Sequence, residues 1–263
     1  MSGQETAAAL PTAGERWAFF FDIDGTLLEL AETPSGVRVD GELVALIRRL
    51  HDCAGGAVAL ISGRRIDDVD ALFPGPHLPI AGQHGMERRD AGGGLHRHAP
   101  KNVDWPRLRA DVDAAMAGKP GLLVEDKGLT LAVHYRRAPK LRRHVGKALG
   151  ELVAEAGGSL RLQPGKCVLE VKPAGRDKGT AIAEFMAEAP FRGRLPVFIG
   201  DDVTDEYGFG VVNAMGGCSI KVGAGRTAAR ARLDGVAAVR AWLEALLARS
   251  PACNGTGKEE ERR

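Results

Sequence analysis

The segment Phe19-Phe20-Phe21-Asp22-Ile23-Asp24-Gly25-Thr26 decides the fold of this chain. Trp17 and Ala18 precede it, so an unbroken apolar run leads directly into two carboxylates. An apolar run of this kind predicts a strand buried on both faces of a sheet. Because an unpaired buried charge is costly, the carboxylates are expected at the carboxyl end of the strand. That end lies in the crevice where open α/β sheets bind ligands.

The composition of the chain narrows the classes of protein to which it can belong. Its 263 residues, 44% hydrophobic and 27% charged, fit one or two globular domains. A net charge of +2 and only 5% aromatic residues argue against a nucleic-acid partner. The apolar stretches fall short of the roughly 20 residues of a membrane span, and the N-terminus does not resemble a signal peptide.

The four cysteines, at positions 53, 167, 218 and 253, are scattered and contain no Cys-x-x-Cys pair. This spacing predicts neither a zinc site nor a disulfide framework, and it fits a reducing cytoplasm. We therefore expect a cytoplasmic protein. We also expect a monomer.

The hydrophobic pattern changes twice along the chain. Residues 15–85 predict the element order β-α-β-α-β, and residues 86–172 predict α-β-β-α-β-β. Over residues 173–250, apolar runs again predict the buried strands of a parallel sheet. The tails 1–14 and 251–263 lack apolar periodicity and are predicted to be disordered. The expected fold is therefore an α/β parallel-sheet core with an inserted α+β domain. Helices are predicted at 41–53, 66–73, 104–117, 139–156, 178–188 and 236–248. Strands other than the first are predicted at 57–61, 78–81, 121–125, 129–136, 159–163, 166–172, 196–199 and 219–222.

Three predicted core strands end in polar clusters, and parallel strands place such ends at one edge of the sheet. Clustered carboxylates repel one another unless a cation lies among them, and Mg²⁺ fits a set of oxygen ligands. Ser62 and the amides after it could hold a phosphate, aided by the next helix's N-terminus. Lys178, at the start of a helix, adds a fixed positive charge. The clusters are Asp22 with Asp24, Ser62 with Gly63 and Arg64, and Asp201 with Asp202 and Asp205.

These residues resemble, in order, the four motifs of the haloacid dehalogenase-like phosphatases, whose core is a Rossmann-like parallel sheet. The insertion lies where that family carries its larger cap, and its element order is similar to the cap of trehalose-6-phosphate phosphatases. Further segments are also similar to that family: Gly82-x-His84-Gly85-x-Glu87, Glu125-x-Lys127, His134-Tyr135-Arg136 and Leu169-Glu170-x-Lys172-Pro173.

The resemblance implies a Mg²⁺-dependent phosphatase acting on trehalose 6-phosphate. It implies that Asp22 attacks phosphorus and becomes an aspartyl phosphate, while Asp24 protonates the leaving oxygen and then deprotonates water. Lys178 would be the third catalytic residue. The phosphate-binding residues would be Ser62, Gly63, Arg64 and Lys178. The metal site would draw on Asp22, Asp24 (through its main-chain carbonyl), Asp201, Asp202 and Asp205. The substrate-binding residues would be His84, Glu125, Lys127, His134, Arg136 and Glu170.

Other interpretations stay open at this stage. The substrate could be sucrose phosphate or a glycosyl-phosphoglycerate, or the enzyme could be a sugar phosphomutase. A catalytically silent sugar-phosphate sensor is disfavoured by the intact acidic motifs. Taken singly, Ser62 could cap a helix, His84 could be a turn residue, and Glu125, Lys127 and Glu170 could form a surface ion-pair set. The basic run from Arg136 to Arg143 fits a solvated helix face.

Overall fold

The computed structural model describes residues 10–12, 16–30, 37–75, 77–98 and 102–249. Apart from residues 10–12, the two tails predicted to be disordered lie outside these ranges. The chain forms two compact units. Of the described residues, the core unit comprises those up to His96, Asp177–Asp201 and those from Asp205 to Arg249. The inserted unit comprises Arg97–Arg176 together with Asp202–Thr204.

The described residues contain twelve strands and seven α-helices, with short 3-10 turns at Gln83–Gly85 and Pro139–Leu141. In chain order they are β1 (Trp17–Phe21), α1 (Gly41–Cys53), β2 (Val58–Ile61), α2 (Ile66–Leu72), β3 (Ile80–Gly82), β4 (Glu87–Arg89), β5 (Leu95–Arg97), α3 (Trp105–Met116), β6 (Leu123–Asp126), β7 (Leu131–His134), α4 (Arg142–Glu155), β8 (Leu160–Gly165), β9 (Val168–Pro173), α5 (Lys178–Met186), β10 (Leu195–Gly200), α6 (Asp205–Ala214), β11 (Cys218–Val222), β12 (Ala231–Leu233) and α7 (Val236–Ala248).

The core sheet has the strand order β12-β11-β10-β1-β2-β3-β4-β5 and is parallel from β12 to β3. Strand β1 lies between β10 and β2, with Phe21 opposite Ile199 on one side and Leu60 on the other. The predicted parallel-sheet α/β fold is therefore confirmed. The carboxyl ends of these three strands meet at one edge of the sheet, which brings the polar clusters together.

The aromatic run of β1 is buried on both faces because helices cover both. The ring of Phe19 lies 6.5 Å from Trp242 of α7, measured between centroids. The ring of Phe20, on the opposite face, lies 6.0 Å from Phe185 of α5. All three phenylalanines of the strand are at most 4% exposed.

Helix α5 begins at a fixed residue because its N-terminus carries a capping box. The Asp177 side chain accepts a hydrogen bond from Thr180 N at 2.9 Å, and the Thr180 hydroxyl accepts one from Asp177 N at 2.9 Å. This arrangement makes Lys178 the first helical residue and holds its side chain at the start of α5.

The inserted unit has the element order α3-β6-β7-α4-β8-β9 and an antiparallel sheet in the order β6-β7-β9-β8. Its hydrophobic core joins one face of the sheet to the helices, with Val133 of β7 and Val171 of β9 packed with Val145 of α4. Because side chains alternate along a strand, the residues between these apolar positions form an opposite, polar face.

The predicted insertion boundaries at 86 and 172 differ from the observed ones at 97 and 176. The residues after 86 form β4, antiparallel to β3, and β5, which extend the core sheet. Strand β4 was not predicted, because its buried residues are charged. Arg88 pairs with Glu188, and Arg89 lies 2.7 Å from Asp70. Helix α6 and strand β12 were also absent from the predicted elements.

Cys53 takes part in a disulfide, which the cysteine spacing did not predict. Cys167 and Cys218 are free. Cysteine usage therefore gives no support to a reducing compartment. Within the described residues, no helix combines the length and apolar character needed to cross a membrane.

Candidate active site

The candidate site is built at the carboxyl end of β1. Asp22 follows the strand directly, is 5% exposed, and donates its main-chain N–H to Ile199 O on β10 at 2.9 Å. The Thr26 hydroxyl donates to Asp22 Oδ2 at 3.4 Å. The turn after the strand thus holds the candidate nucleophile in a buried position beside β10.

Lys178 lies between two of the carboxylates. Its Nζ is 2.7 Å from Asp22 Oδ1 and 2.7 Å from Asp205 Oδ1, and all three side chains are at most 6% exposed. Burial raises the pKa of the Asp22 carboxyl well above its usual range, although Lys178 opposes this shift. Burial opposes the charge of Lys178, but Asp205 and Asp22 outweigh it and raise the pKa of the lysine. Lys178 therefore carries a positive charge in the middle of the site.

Three carboxylates meet the donor requirements of a hard divalent cation. Asp22, Asp201 and Asp205 each offer an oxygen, and these oxygens lie within 4.8 Å of one another. Gly25 makes room for this approach, since a Cβ at its position would lie 2.3 Å from Asp201 Oδ2. The three acidic groups outnumber the one ammonium among them, which favours an added cation. The residues present therefore fit Mg²⁺, whose ligands in proteins are oxygens.

Asp24, the candidate acid and base, is engaged by Arg64. The guanidinium binds it through two bonds, Nε to Oδ2 at 2.7 Å and Nη2 to Oδ1 at 2.6 Å. The Asp24 side chain is 32% exposed, so it remains open to solvent at the edge of the sheet. Arg64 was predicted to bind phosphate, and in this structure its partner is the Asp24 carboxylate.

The residues after β2 form the turn that the sequence predicted to bind phosphate. Ser62 is fully buried, its N–H donates to Ala81 O at 2.8 Å, and its hydroxyl accepts Arg64 N at 3.1 Å. Gly63 and Arg64 lead into α2, whose first residue is Ile66. His84 lies beside this turn and donates its main-chain N–H to Ser62 O at 2.9 Å.

The surroundings of the metal site differ from the sequence prediction at two residues, Asp202 and Lys221. Asp202 is not in the group of ligand oxygens found among the described residues, and its own carboxylate accepts the N–H of Val203 at 2.7 Å. Lys221, which sequence reasoning missed, is buried on β11 and donates from Nζ to the main-chain oxygen of Asp201. A lysine within an apolar buried strand was the one available signal, because it needs a partner.

The polar face of the inserted unit holds a second cluster of predicted residues. His134 Nε2 lies 2.7 Å from Glu125 Oε2, and this contact lowers the pKa of the Glu125 carboxyl. Lys127 Nζ lies 3.5 Å from Glu170 Oε1, which also accepts the hydroxyl of Thr130 at 2.5 Å. Four of the predicted sugar-binding side chains are therefore gathered on one sheet face.

Arg136 is not part of this cluster. It lies in a turn past the end of β7 and is exposed, and none of the hydrogen bonds or ion pairs of the described residues joins it to Glu125 or Glu170. Thr130 and Lys172 were not among the predicted site residues. Lys172 is fully buried two residues after Glu170, so the alternation of β9 places both on the polar face.

Residues 20–237 match the model of a family described as trehalose-phosphatase. A probable trehalose-phosphate phosphatase of Sinorhizobium fredii is 46% identical over 221 residues, which is 84% of this chain and 83% of the relative. The chain belongs to the trehalose-phosphatase family. A second member, the trehalose-6-phosphate phosphatase of Escherichia coli, is 44% identical over 241 residues, covering 91% of this chain and 90% of that protein.

Solved structures agree with family membership at the level of the fold. The C-terminal domain of the Candida albicans trehalose-6-phosphate phosphatase has a TM-score of 0.77 at 22% identity, over 88% of this chain and 92% of that chain. A phosphatase of the haloalkanoate dehalogenase superfamily from Bacteroides thetaiotaomicron has a TM-score of 0.61 at 15% identity, over 92% and 99%. The resemblance inferred from the motifs is therefore confirmed, and the family's enzymes are phosphoric monoester hydrolases.

Proposed function

We propose that this protein is a Mg²⁺-dependent phosphatase that hydrolyses trehalose 6-phosphate to trehalose and phosphate through an aspartyl-phosphate intermediate. The observation that carries the proposal is the buried contact of Lys178 with Asp22 and Asp205, beside Asp201, at the end of β1. This arrangement suits a carboxylate nucleophile, because the lysine balances its charge and packing holds it in place.

Electrostatics sets the main requirement of the reaction. A carboxylate that approaches a phosphate dianion is repelled by roughly 4 kcal/mol per pair of unit charges at 4 Å, taking an effective dielectric constant of about 20. Lys178 reduces this repulsion at Asp22, to which it is already bound. A water-excluding position strengthens this effect, and Asp22 is buried.

Proton transfer is assigned to Asp24. It would protonate the sugar oxygen as the P–O bond breaks, and it would then take a proton from the water that attacks the aspartyl phosphate. Arg64 orients this carboxylate through its two hydrogen bonds.

Asp22, Asp201 and the main-chain carbonyl of Asp24 would hold the Mg²⁺, with Asp205 supporting it. When bound, the ion would neutralise the charge of the phosphoryl oxygens. The Ser62 hydroxyl and the amides that follow would bind the same phosphate.

The cluster on the inserted unit is proposed to recognise the sugar. Glu125, Lys127, His134 and Glu170 offer charged donors and acceptors, which suit a disaccharide with many hydroxyl groups. The charge of each is partly balanced by a neighbour, so a sugar hydroxyl can bind without leaving an isolated charge. Cytoplasmic location and the monomeric state stay predictions.

A phosphate-release screen over a panel of sugar phosphates tests the function. With Mg²⁺, trehalose 6-phosphate should be hydrolysed with a higher kcat/KM than sucrose phosphate or a glycosyl-phosphoglycerate, and free phosphate should form without an added bisphosphate. With chelator, release should fall to background, because the acidic cluster then lacks its cation. Equal release in Mg²⁺ and in chelator would remove the metal from the mechanism. Transfer of the phosphoryl group between sugar positions would indicate a mutase instead.

Truncating the proposed sugar-binding side chains should affect trehalose 6-phosphate selectively. We expect alanine at Glu125, Lys127 or Glu170 to cut kcat/KM for this substrate by about tenfold or more, the loss of one charge-assisted hydrogen bond. An aryl phosphate, which lacks the sugar, should be hydrolysed at nearly the wild-type rate. Arg136→Ala is the matched control, since that side chain lies outside the cluster. Equal losses on both substrates would mean that these residues maintain the fold.

A further inference from the structure

We infer that His84 and Glu87 are positioning residues for the proposed phosphate-binding turn, Ser62–Arg64, and that His84 does not act as a sugar ligand. The inference rests on the proposed function for the role of that turn. It concerns the segment Gly82–Glu87, which we call the supporting segment. All of these residues belong to the core unit.

The backbone of the supporting segment is held in a conformation that side-chain-bearing residues disfavour. Gln83 and His84 have φ values of 48° and 55°, and Gly85 follows with 90°. Consecutive left-handed residues persist only where the surroundings determine them, and such positions cluster at functional sites. The surroundings here are the phosphate-binding turn on one side and the start of α5 on the other.

Main-chain hydrogen bonds tie the supporting segment to the turn. His84 N donates to Ser62 O at 2.9 Å, and Gln83 N donates to Arg64 O at 2.8 Å. Glu87 adds a side-chain contact, because its Oε1 accepts the N–H of Ile66, the first residue of α2, at 2.8 Å. The two ends of the turn and the start of the following helix are therefore all held by one short segment.

The imidazole of His84 occupies the space above Gly63. A Cβ at Gly63 would lie 2.7 Å from both Cε1 and Nε2 of the ring, too close for real atoms. Gly63 does not have a positive φ, so its own backbone could accept a side chain. A side chain at Gly63 therefore fits only if the histidine ring moves away from the turn.

The other side of the supporting segment packs against the helix that carries Lys178. A Cβ at Gly85 would lie 2.7 Å from the main-chain oxygen of Asp177, the N-cap of α5. The segment thus lies between the turn that would bind the phosphate and the helix start that places the lysine on Asp22. A displacement of this segment would move both groups.

A double-mutant cycle separates this role from sugar binding. Gly63→Ala should collide with the His84 ring and lower kcat/KM by about tenfold or more on an aryl phosphate and on trehalose 6-phosphate alike. His84→Asn removes the two colliding ring atoms and keeps a residue that tolerates positive φ. In the Gly63→Ala background, His84→Asn should recover activity on both substrates, so that the double variant exceeds Gly63→Ala alone.

The conservative pair at Glu87 gives an independent readout. Glu87→Gln keeps an acceptor oxygen for Ile66 N and should retain most of the activity, whereas Glu87→Ala should lose it on both substrates. Inorganic phosphate is the direct probe, and its dissociation constant measured by calorimetry should rise in Gly63→Ala and Glu87→Ala. Thermal melting of each variant confirms that it is folded before these values are compared.

The inference is overturned if His84→Asn lowers activity on trehalose 6-phosphate alone and adds independently to Gly63→Ala, because that result describes a sugar contact. Unchanged phosphate binding in folded Gly63→Ala would overturn it as well. Failure of the proposed function looks different: the wild-type enzyme would then release no phosphate from trehalose 6-phosphate, while the aryl phosphate and the calorimetric measurements would still decide the role of His84.

Discussion

Replacing Asp22 by asparagine is expected to abolish phosphate release while leaving the fold intact. The amide keeps the shape of the carboxylate and still offers an oxygen to Lys178 Nζ, which lies 2.7 Å away in the wild type. It removes the attacking charge, so turnover should fall by roughly 10³-fold or more. Loss of one of three clustered carboxylates relieves repulsion, so thermal stability should not decrease.

Two measurements check this expectation. Acid-quenched wild-type enzyme should carry a phosphoryl group after exposure to substrate, and Asp22→Asn should carry none. Asp52→Asn is the matched control, because that side chain is 81% exposed and lies on the last turn of α1. Near-wild-type phosphate release from Asp22→Asn would exclude the aspartyl-phosphate mechanism.

Replacing Lys178 by methionine should cost both stability and activity. Its Nζ is bound to Asp22 and Asp205, and all three groups are buried. Removing one partner leaves unbalanced buried carboxylates, which lowers the free energy of unfolding by about 3–5 kcal/mol. Phosphate release should fall to background, since repulsion between Asp22 and the incoming phosphate is no longer reduced.

Denaturant unfolding in the presence of chelator measures the stability change without a bound cation. The double variant Lys178→Met/Asp205→Asn removes one of the unbalanced acids, so it should regain part of the lost stability and none of the activity. Lys147→Met is the control, because that lysine is 80% exposed on α4. A Lys178→Met protein as stable as the wild type would mean that the buried contacts of this lysine are not stabilising.

Much of the core could be predicted from local patterns. The run from Trp17 to Phe21 predicted the central strand, because apolar residues without alternation indicate burial on both faces. The bounds of α1 and α7 were predicted as observed, and in α1 the amphipathic spacing of the buried leucines is strong. The same reasoning placed Asp22, Ser62, Lys178 and Asp201 at element ends, where polar residues interrupt buried segments.

Other elements depend on contacts that no local pattern contains. Helix α6 includes Gly208 and Gly210. Because glycine lowers helix propensity, this helix was not predicted from the sequence. A Cβ at Gly208 would lie 2.4 Å from the Phe198 ring, so the glycine serves the close packing of this helix on β10. Strand β4 was not predicted for a similar reason. Burial of its arginines is energetically favourable only when their acidic partners lie beside them.

The sequence by itself determined the central strand, the two-part core with its insertion, the order of the acidic motifs and the family. Only the tertiary structure decided which charges meet: Lys178 with Asp22 and Asp205, Arg64 with Asp24, and Lys221 with the Asp201 carbonyl. The physical reason is the sequence separation over which each interaction acts. Burial and turn preferences act on neighbouring residues and leave a pattern along the chain. The balance of buried charge depends on partners up to 156 positions apart, as for Asp22 and Lys178, and is settled only when the sheet brings them together.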